Sequence, residues 1–532
     1  MSTNYSFNCT RSGAMARRWK SVLIAMLAVV PLSANAAPAD FDTRFGTNGV
    51  IGATNTGFVF ETANAVARQS NASLVIVGGC FDSASSVERF CVRRILPYGG
   101  VDFNFGGDGT GIVRIGFLLP NAGESATSVA VQPDGKIVVG GACNADTSGQ
   151  RLRRRFCVTR LLPDGSIDSA SFGTLGRWSA QLMPTGSGSD EILSTVLLQP
   201  DGKVLVVGSC TVFSGSPDQS FICHQRLTNS GQLDGTYVPT AIADESTASK
   251  PAVLQSDGKI VLGGECRDPV SLGVQGCLTR LTAGGALDSQ TFGSNGQSVS
   301  VEADGAVFTT GSLAIQGSGE LILAGTCSTI SANTNHIFCL RRWHANGTID
   351  AAFPAASTMV LANAVHQFVS AMAVQSDGKI IVAGTCLLNG FQSTICLTRF
   401  GVDGARDSAF AGGTVPISRD NDYAPQTVVQ PDGTIVLAAT CGSIPFSQTN
   451  SGNVCAAQLI GGPTDFSSCS GDVDGDGEIT ANDSLLFARV ALGFTQTSVT
   501  QNVTFATQAT RKTWPLIRDY LANHCGLRAG AG

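Results

Sequence analysis

Six oxygen-bearing residues near the C-terminus stand at the spacing of a calcium cage: Asp472, Asp474, Asp476, Glu478, Thr480 and Asp483. Counted from Asp472 they take positions 1, 3, 5, 7, 9 and 12 of a loop, with Gly477 supplying the sharp turn at position 6. Glu478 would offer its carbonyl and Thr480 would act through a water. A hard cation needs such a ring of oxygens, so one calcium ion is expected. The segment 484–492 then reads as a helix, with Leu486 and Val490 on one face and Gly493 as its stop. A second helix is expected over 514–523, where Ile517 and Leu521 are spaced for burial. Residues 494–510 contain no carboxylate, so no second calcium loop follows.

The cysteines form a second regular set. Of 17, Cys9 precedes an export signal and is expected to be lost. Fourteen fall into pairs: Cys80–Cys91, Cys143–Cys157, Cys210–Cys223, Cys266–Cys277, Cys327–Cys339, Cys386–Cys396 and Cys441–Cys455. The last two, Cys469 and Cys525, bracket the C-terminal module, and a Cys469–Cys525 bridge would tie its ends. No C-x-x-C or Cys/His cluster appears, which argues against a metal reading. An arginine follows six of the seven second cysteines by a fixed interval: Arg94, Arg160, Arg226, Arg280, Arg342 and Arg399. An aspartate follows each arginine in turn: Asp102, Asp168, Asp234, Asp288, Asp350 and Asp407. Fixed spacing across a hairpin predicts a cross-strand ion pair in every unit. A carboxylate present in every unit reads as scaffold, not catalysis.

The elements that position these residues come from one phrase written seven times. AVQPDGKIVVGGAC from Ala130, LLQPDGKVLVVGSC from Leu197 and AVQSDGKIIVAGTC from Ala373 are its clearest copies, about 60 residues apart on average. Apolar alternation flanks Asp134-Gly135, Asp201-Gly202, Asp257-Gly258, Asp377-Gly378 and Asp432-Gly433, dipeptides that suit hairpins because they tolerate positive φ. A second hairpin and a further extended stretch, such as Trp178 to Leu182, bring each unit to four strands. Seven such units describe an all-β, seven-bladed propeller. Closure is expected from an offset: the closing phrase is missing after Leu459 but present near the N-terminus as Phe41-Asp42-Thr-Arg-Phe45-Gly46. In the seventh unit Gln458 replaces the arginine and Asp42 would supply the acid. A strand from the N-terminus would then complete the last blade and leave no exposed edge.

With alternating strands, both tight turns of a blade share one face. The segments between paired cysteines share the other, and they vary freely, which makes that face the expected binding surface. They carry few carboxylates, chiefly Asp82, Glu88, Asp146, Asp218 and Asp268, and are rich in Ser, Thr, Asn and Gln. After the signal only Trp178, Trp343 and Trp514 are tryptophans, a thin set for stacking sugars. There is no G-x-S-x-G, H-E-x-x-H or P-loop. His224, His336, His344, His366 and His524 are scattered along the chain. The Arg151–Arg155 run reads as a solvated loop. A net charge of −6 gives nucleic acid no electrostatic footprint.

Arg17, Arg18 and Lys20, the apolar run 21–30 and Ala34-Asn35-Ala36 read as an export signal cleaved after Ala36, with Met15 as an alternative start. No segment approaches a membrane span, so the mature chain is expected in an oxidising, exported setting, secreted, at the cell surface or in the periplasm, as a monomer. Residues 37–465 would be the propeller and 466–532 the calcium module.

The repeat phrase, DGK-I-V-x-x-G, then x-x-R-L, then DG-x-x-D-x-x-FG, resembles the delta-60 repeat family of β-propellers over about 41–465. That family brings a fold but no defined activity. The loop and helix of 472–492 resemble the first half of a type I dockerin, an EF-hand-like module. Dockerins bind cohesins and accompany polysaccharide-degrading enzymes, so the resemblance implies a cohesin-like or cell-surface partner. The leading expectation is a non-enzymatic binding scaffold, with a glycan among its candidate ligands. A glycosyl hydrolase or accessory subunit of a polysaccharide catabolic complex, and a purely structural surface protein, are the alternatives.

Overall fold

The structure is a computed structural model. It describes residues 38–525 apart from 53–59, 82–86, 118–122, 145–152, 184–187, 214–217, 245–249, 268–272, 301–305, 330–335, 355–357, 360–363, 389–391, 411, 419–420, 431–432, 443–451, 462–470, 493 and 495–496. The expected signal segment, Asp432, Cys469 (and with it the Cys469–Cys525 bridge) and the tips of the inter-cysteine loops lie outside the described residues.

Seven antiparallel sheets follow one another along the chain, as the repeats predict. In blade 2 the strands are Glu124–Val131, Ile137–Asn144, Arg154–Leu161 and Arg177–Ala180, each hydrogen-bonded to the next. Blade 1 differs in that its first strand is broken into Phe60–Glu61 and Ala65–Arg68, both paired with Leu74–Phe81. The first strands of neighbouring blades pack against one another around a circle, and Asp422–Val429 of blade 7 meets Ala65–Arg68 of blade 1. The ring is therefore closed. Its outer strand in blade 7 comes from the N-terminus: Val50–Ile51 pairs with Ala456 and Ala457, and Phe41 bridges Leu459.

The second strand of each blade is buried on both faces, as in Ile380–Leu388 and Val204–Val212, which explains their near-continuous apolar runs. Their side chains fill the gaps between blades. One cluster, for instance, joins Val138, Phe156 and Phe172 of blade 2 to Leu193, Val204 and Val206 of blade 3. A glycine stands two residues ahead of the first cysteine in six blades, with Ala439 in the seventh, and in the bulged blades it has a steric cause. The first strand bulges between Leu193 and Thr195 opposite Gly208, where a Cβ would lie 2.0 Å from the Ile192 carbonyl. Gly384 meets the same constraint against Phe368. At the first hairpin only the glycine takes positive φ, for example 83° at Gly135, while Asp134 accepts the Lys136 N–H. The turn is thus a Gln132–Gly135 turn followed by a glycine bulge, not a two-residue hairpin.

All seven blade disulfides form, with Cα–Cα distances of 5.7–6.0 Å. The paired cysteines are diagonal neighbours: Cys143 stands opposite Arg155, and Cys157 opposite Gly141. Seven disulfides fit an extracellular protein. No helix among the described residues is long and apolar enough to cross a membrane.

The six Arg–Asp pairs also form, at 2.7–3.0 Å. Each arginine does more than its spacing implied. Its ring-facing plane stacks on an aromatic of the closing phrase, Phe105, Phe172, Tyr237, Phe292, Phe353 or Phe410, at 4.5–4.8 Å. One Nη donates to a turn carbonyl of the next blade, reaching Pro163, Asn229, Ala283, Ala345 and Val402 at 2.5–2.7 Å, and Gly461 in blade 7. The lysine of the DGK phrase adds a second cation in four blades, as with Lys259 and Asp288 at 3.2 Å. The seventh seam differs. Gln458 donates to Asp42 at 3.1 Å, and the charge comes from Arg44, which holds both Asp42 oxygens at 2.8 Å.

A further carboxylate recurs opposite the first cysteine. Glu124, Glu191 and Asp422 are almost wholly buried, and each accepts backbone N–H groups from the link that enters its blade: Phe117, then Leu182 and Met183, then Ile417 and Ser418. Glu61, in the same place, is instead held by the buried Arg93 at 2.7 Å.

The C-terminal module has its own core of Val473, Leu486, Val490, Val499, Ile517, Tyr520 and Leu521. Its helices run Ala481–Ala491 and Trp514–Cys525, with a short turn of helix at Thr497–Thr500 between them. The first begins three residues before the expected start because Thr480 caps it, with Asp483 completing a capping box.

Two outcomes follow from the buried pairs. Asp288→Ala strands Arg280 and is expected to cost about 3 kcal/mol in urea unfolding; a loss under about 1 kcal/mol would show the pair to be passive. Burial alone would raise the Asp168 carboxyl, but Ser171, Arg160 and Lys136 outweigh it and hold it below the ordinary range, and Asp288, Asp350 and Asp407 shift the same way. A depressed folded pKa stabilises above the unfolded value and is lost as pH falls. Thermal stability should therefore be flat near neutrality and drop steeply below about pH 4, which a pH series of melting curves reads directly.

Candidate functional site

The loop at the head of the C-terminal module is built by glycines that accept left-handed backbone: Gly471, Gly475 and Gly477, the last with φ 93°. It curls so that carboxylate oxygens of Asp472, Asp474 and Asp476 come within 4.8 Å of one another. Asp472 is held in place by N–H groups of Gly475, Asp476 and Gly477, and Asp476 by that of Glu478. Asp474 is fully buried, and its Oδ2 meets no hydrogen-bond donor. An orphaned, buried carboxylate oxygen among two other carboxylates is costly unless a cation sits there. Burial, then Asp483 and Asp476, push the Asp474 carboxyl above its ordinary value. The donor set fits a hard cation.

Asp483 stands beneath the loop. Its Oδ1 accepts the N–H groups of Val473 and Asp474 and its Oδ2 those of Thr480, so in this arrangement it fastens helix to loop. Thr480 likewise spends its hydroxyl on Asp483. Sequence reasoning overlooked the side chain that joins the two halves of the module. Arg511 donates to the carbonyls of Val473 (2.9 Å) and Asp472 (2.5 Å), stacks on Tyr520 at 3.9 Å, and its backbone N–H reaches the Asp474 carbonyl. A guanidinium thus ties the second half of the module to the first.

On the propeller, the inter-cysteine segments and blade links do share a face, opposite the tight turns. Of the expected loop carboxylates, Asp82, Asp146 and Asp268 lie outside the described residues. Asp218 is exposed. Glu88 folds over Gly79 toward Ser125 of blade 2, and burial pushes its carboxyl up. The tryptophans recede further as a sugar platform, since Trp343 is fully buried between blades 4 and 5. The solvated reading of the Arg151–Arg155 run needs correction: Arg154 opens a strand and pairs with Asp190 at 2.6 Å. His224 is buried scaffold, bonded to Tyr237 and Thr240, and burial pushes it down to about 4. His336 and His366, thirty residues apart, come together across the seam of blades 5 and 6.

A family model described as a "domain of unknown function (DUF5122) beta-propeller" matches residues 132–170, 199–237, 255–290 and 375–410. No curated protein matches the chain. Among solved structures, a protein of unknown function from Dyadobacter fermentans is 11% identical, with 63% of this chain and 93% of that one covered and a TM-score of 0.41. Polysaccharide lyase Uly1 is 12% identical, with 81% and 98% covered and a TM-score of 0.43. An α-L-arabinofuranosidase from Fusarium graminearum is 10% identical, with 63% and 92% covered and a TM-score of 0.39. At such values these likenesses carry nothing about chemistry. Four of the repeats thus match a β-propeller family whose function is not defined.

If the cage holds calcium, Asp474→Asn should abolish a calcium-dependent rise in the melting temperature of the module, followed through Trp514 fluorescence. Arg511→Gln should lower that temperature with or without calcium.

Proposed function

We propose that the protein is an exported, non-enzymatic binding scaffold whose loop face takes the ligand and whose C-terminal module, held by one calcium ion, attaches the propeller to a protein partner. The observation that carries this reading is how the repeated charges are used. Among the described residues, the carboxylates present in blade after blade are engaged by arginine, lysine or backbone N–H groups, which leaves them no freedom for proton transfer. The variable surface lies on the opposite side from those pairs.

The delta-60 and dockerin-like assignments support the same division of labour. A half-module with Asp472, Asp474 and Asp476 around one ion, and Arg511 in place of a second, can keep a folded surface for a cohesin-like or cell-surface partner. Exposed Leu485, Leu492 and Leu516 give that surface apolar contacts. A glycan is the ligand class best matched to loops rich in Ser, Thr, Asn and Gln.

The test is a pull-down from cell envelope and culture medium with and without calcium, paired with a glycan array. Retention of a partner only with calcium, together with glycan binding without product release, is the expected outcome. Turnover of a polysaccharide by the purified protein would overturn it in favour of the enzymatic alternative.

A further inference from the structure

We propose that His336 and His366 form a two-imidazole site for a borderline divalent cation, zinc or copper, on the loop face at the seam of blades 5 and 6. The site is separate from the calcium loop and does not depend on its role.

His336 immediately precedes the strand Ile337–Trp343 of blade 5, and His366 lies in the first strand of blade 6, Ala364–Val374. The two residues form an isolated parallel bridge, and the Gln367 N–H donates to the His336 carbonyl at 2.9 Å. That bond fixes the two backbones relative to each other. The Nδ1 atoms then face one another at 2.8 Å, with ring centroids 4.8 Å apart. Phe368 packs beside both rings, 5.0 Å from His336 and 6.2 Å from His366. Both histidines are half-buried, so an ion can reach them.

Two Nδ1 atoms at this distance share one proton, one ring donating and the other accepting. Burial, then the neighbouring His366, hold His336 below the ordinary histidine range. Neutral imidazole is the form that acts as a ligand. Moving the shared proton to the Nε2 of the donor ring frees both Nδ1 lone pairs, and no net proton leaves. Zinc bonds imidazole nitrogen at about 2.0–2.1 Å in a tetrahedral arrangement, so the nitrogens would sit about 3.4 Å apart. Ring rotation supplies that opening of about half an ångström with the backbone unmoved. Carboxylate or calcium-type chemistry is disfavoured here, because nitrogen donors select zinc, copper or nickel over hard cations. Among the described residues no Cys, Asp or Glu joins the pair as a third ligand. Two coordination positions are thus left for water or for an oxygen of a bound ligand.

Zinc titration by calorimetry on the full chain, in excess calcium to fill the acidic loop, tests the proposal. One zinc per chain is expected, with affinity reduced at least about tenfold in both His366→Gln and His336→Asn, and unchanged in His344→Gln, whose histidine is exposed in a turn. Circular dichroism confirms that the variants fold. Copper(II) bound to the unsubstituted protein should show hyperfine coupling to two imidazole nitrogens in its paramagnetic resonance spectrum. Equal zinc uptake by the variants, no uptake by the unsubstituted chain, or a copper spectrum with oxygen ligands alone would overturn it.

Discussion

The guanidinium of the repeated arginine is the contact on which the ring depends. In blade 4, Arg280 binds Asp288, the Thr291 carbonyl and, one blade on, the Ala345 carbonyl, while its plane covers Phe292. No lysine could replace it, since a point charge has neither the flat stacking surface nor the fork of donors. One side chain therefore fixes the second hairpin of its own blade and fastens that blade to the next. In a chain with only 14% charged residues, this placement of charge is economical and specific. It also explains why ion pairs such as Arg160–Asp168, Arg226–Asp234 and Arg280–Asp288 are tolerated in the interior: each is supported by further hydrogen bonds, the condition under which burial of charge is not ruinous.

Ring closure tests that logic at its exception. The seventh blade lacks the arginine, and Gln458 in its place donates to Asp42 and accepts from Gln430. The charge on Asp42 is met by Arg44 from the closing segment itself. The phrase-to-turn bond seen elsewhere survives, since the Gly46 N–H reaches the Tyr98 carbonyl as the Gly173 N–H reaches that of Ser230. The closing seam is thus held by backbone pairing and side chains from the N-terminal segment, without the fork that crosses every other seam.

Much of this was legible in the sequence because the repeat multiplies every signal. Seven copies exposed the blade count, the cysteine pairs, the Arg–Asp interval and the offset Asp42 phrase. What remained hidden were contacts between residues the repeat does not align. Nothing in the order of the chain brings His336 to His366, or Arg511 to the carbonyls of residues 472 and 473. The buried acids Glu124, Glu191 and Asp422 did leave a trace, a common offset ahead of Cys143, Cys210 and Cys441. It is faint because the same position holds Phe308 in blade 5 and Gln367 in blade 6. The diagonal cysteine register and the early helix start depended on bulge and cap geometry that spacing alone does not fix.

The consequence for function is a division between two faces. Tight turns, ion pairs and lysines stiffen one side, while disulfides mark the roots of the variable segments on the other. Native-state hydrogen exchange, resolved blade by blade, tests this account most directly. The arginine fork predicts strong and similar protection in the third strands of blades 1 to 6, with faster exchange at the seam formed by Val50–Ile51 and Asn453–Leu459. Protection at that seam equal to the other six would contradict the claim that the arginine fork holds the ring together.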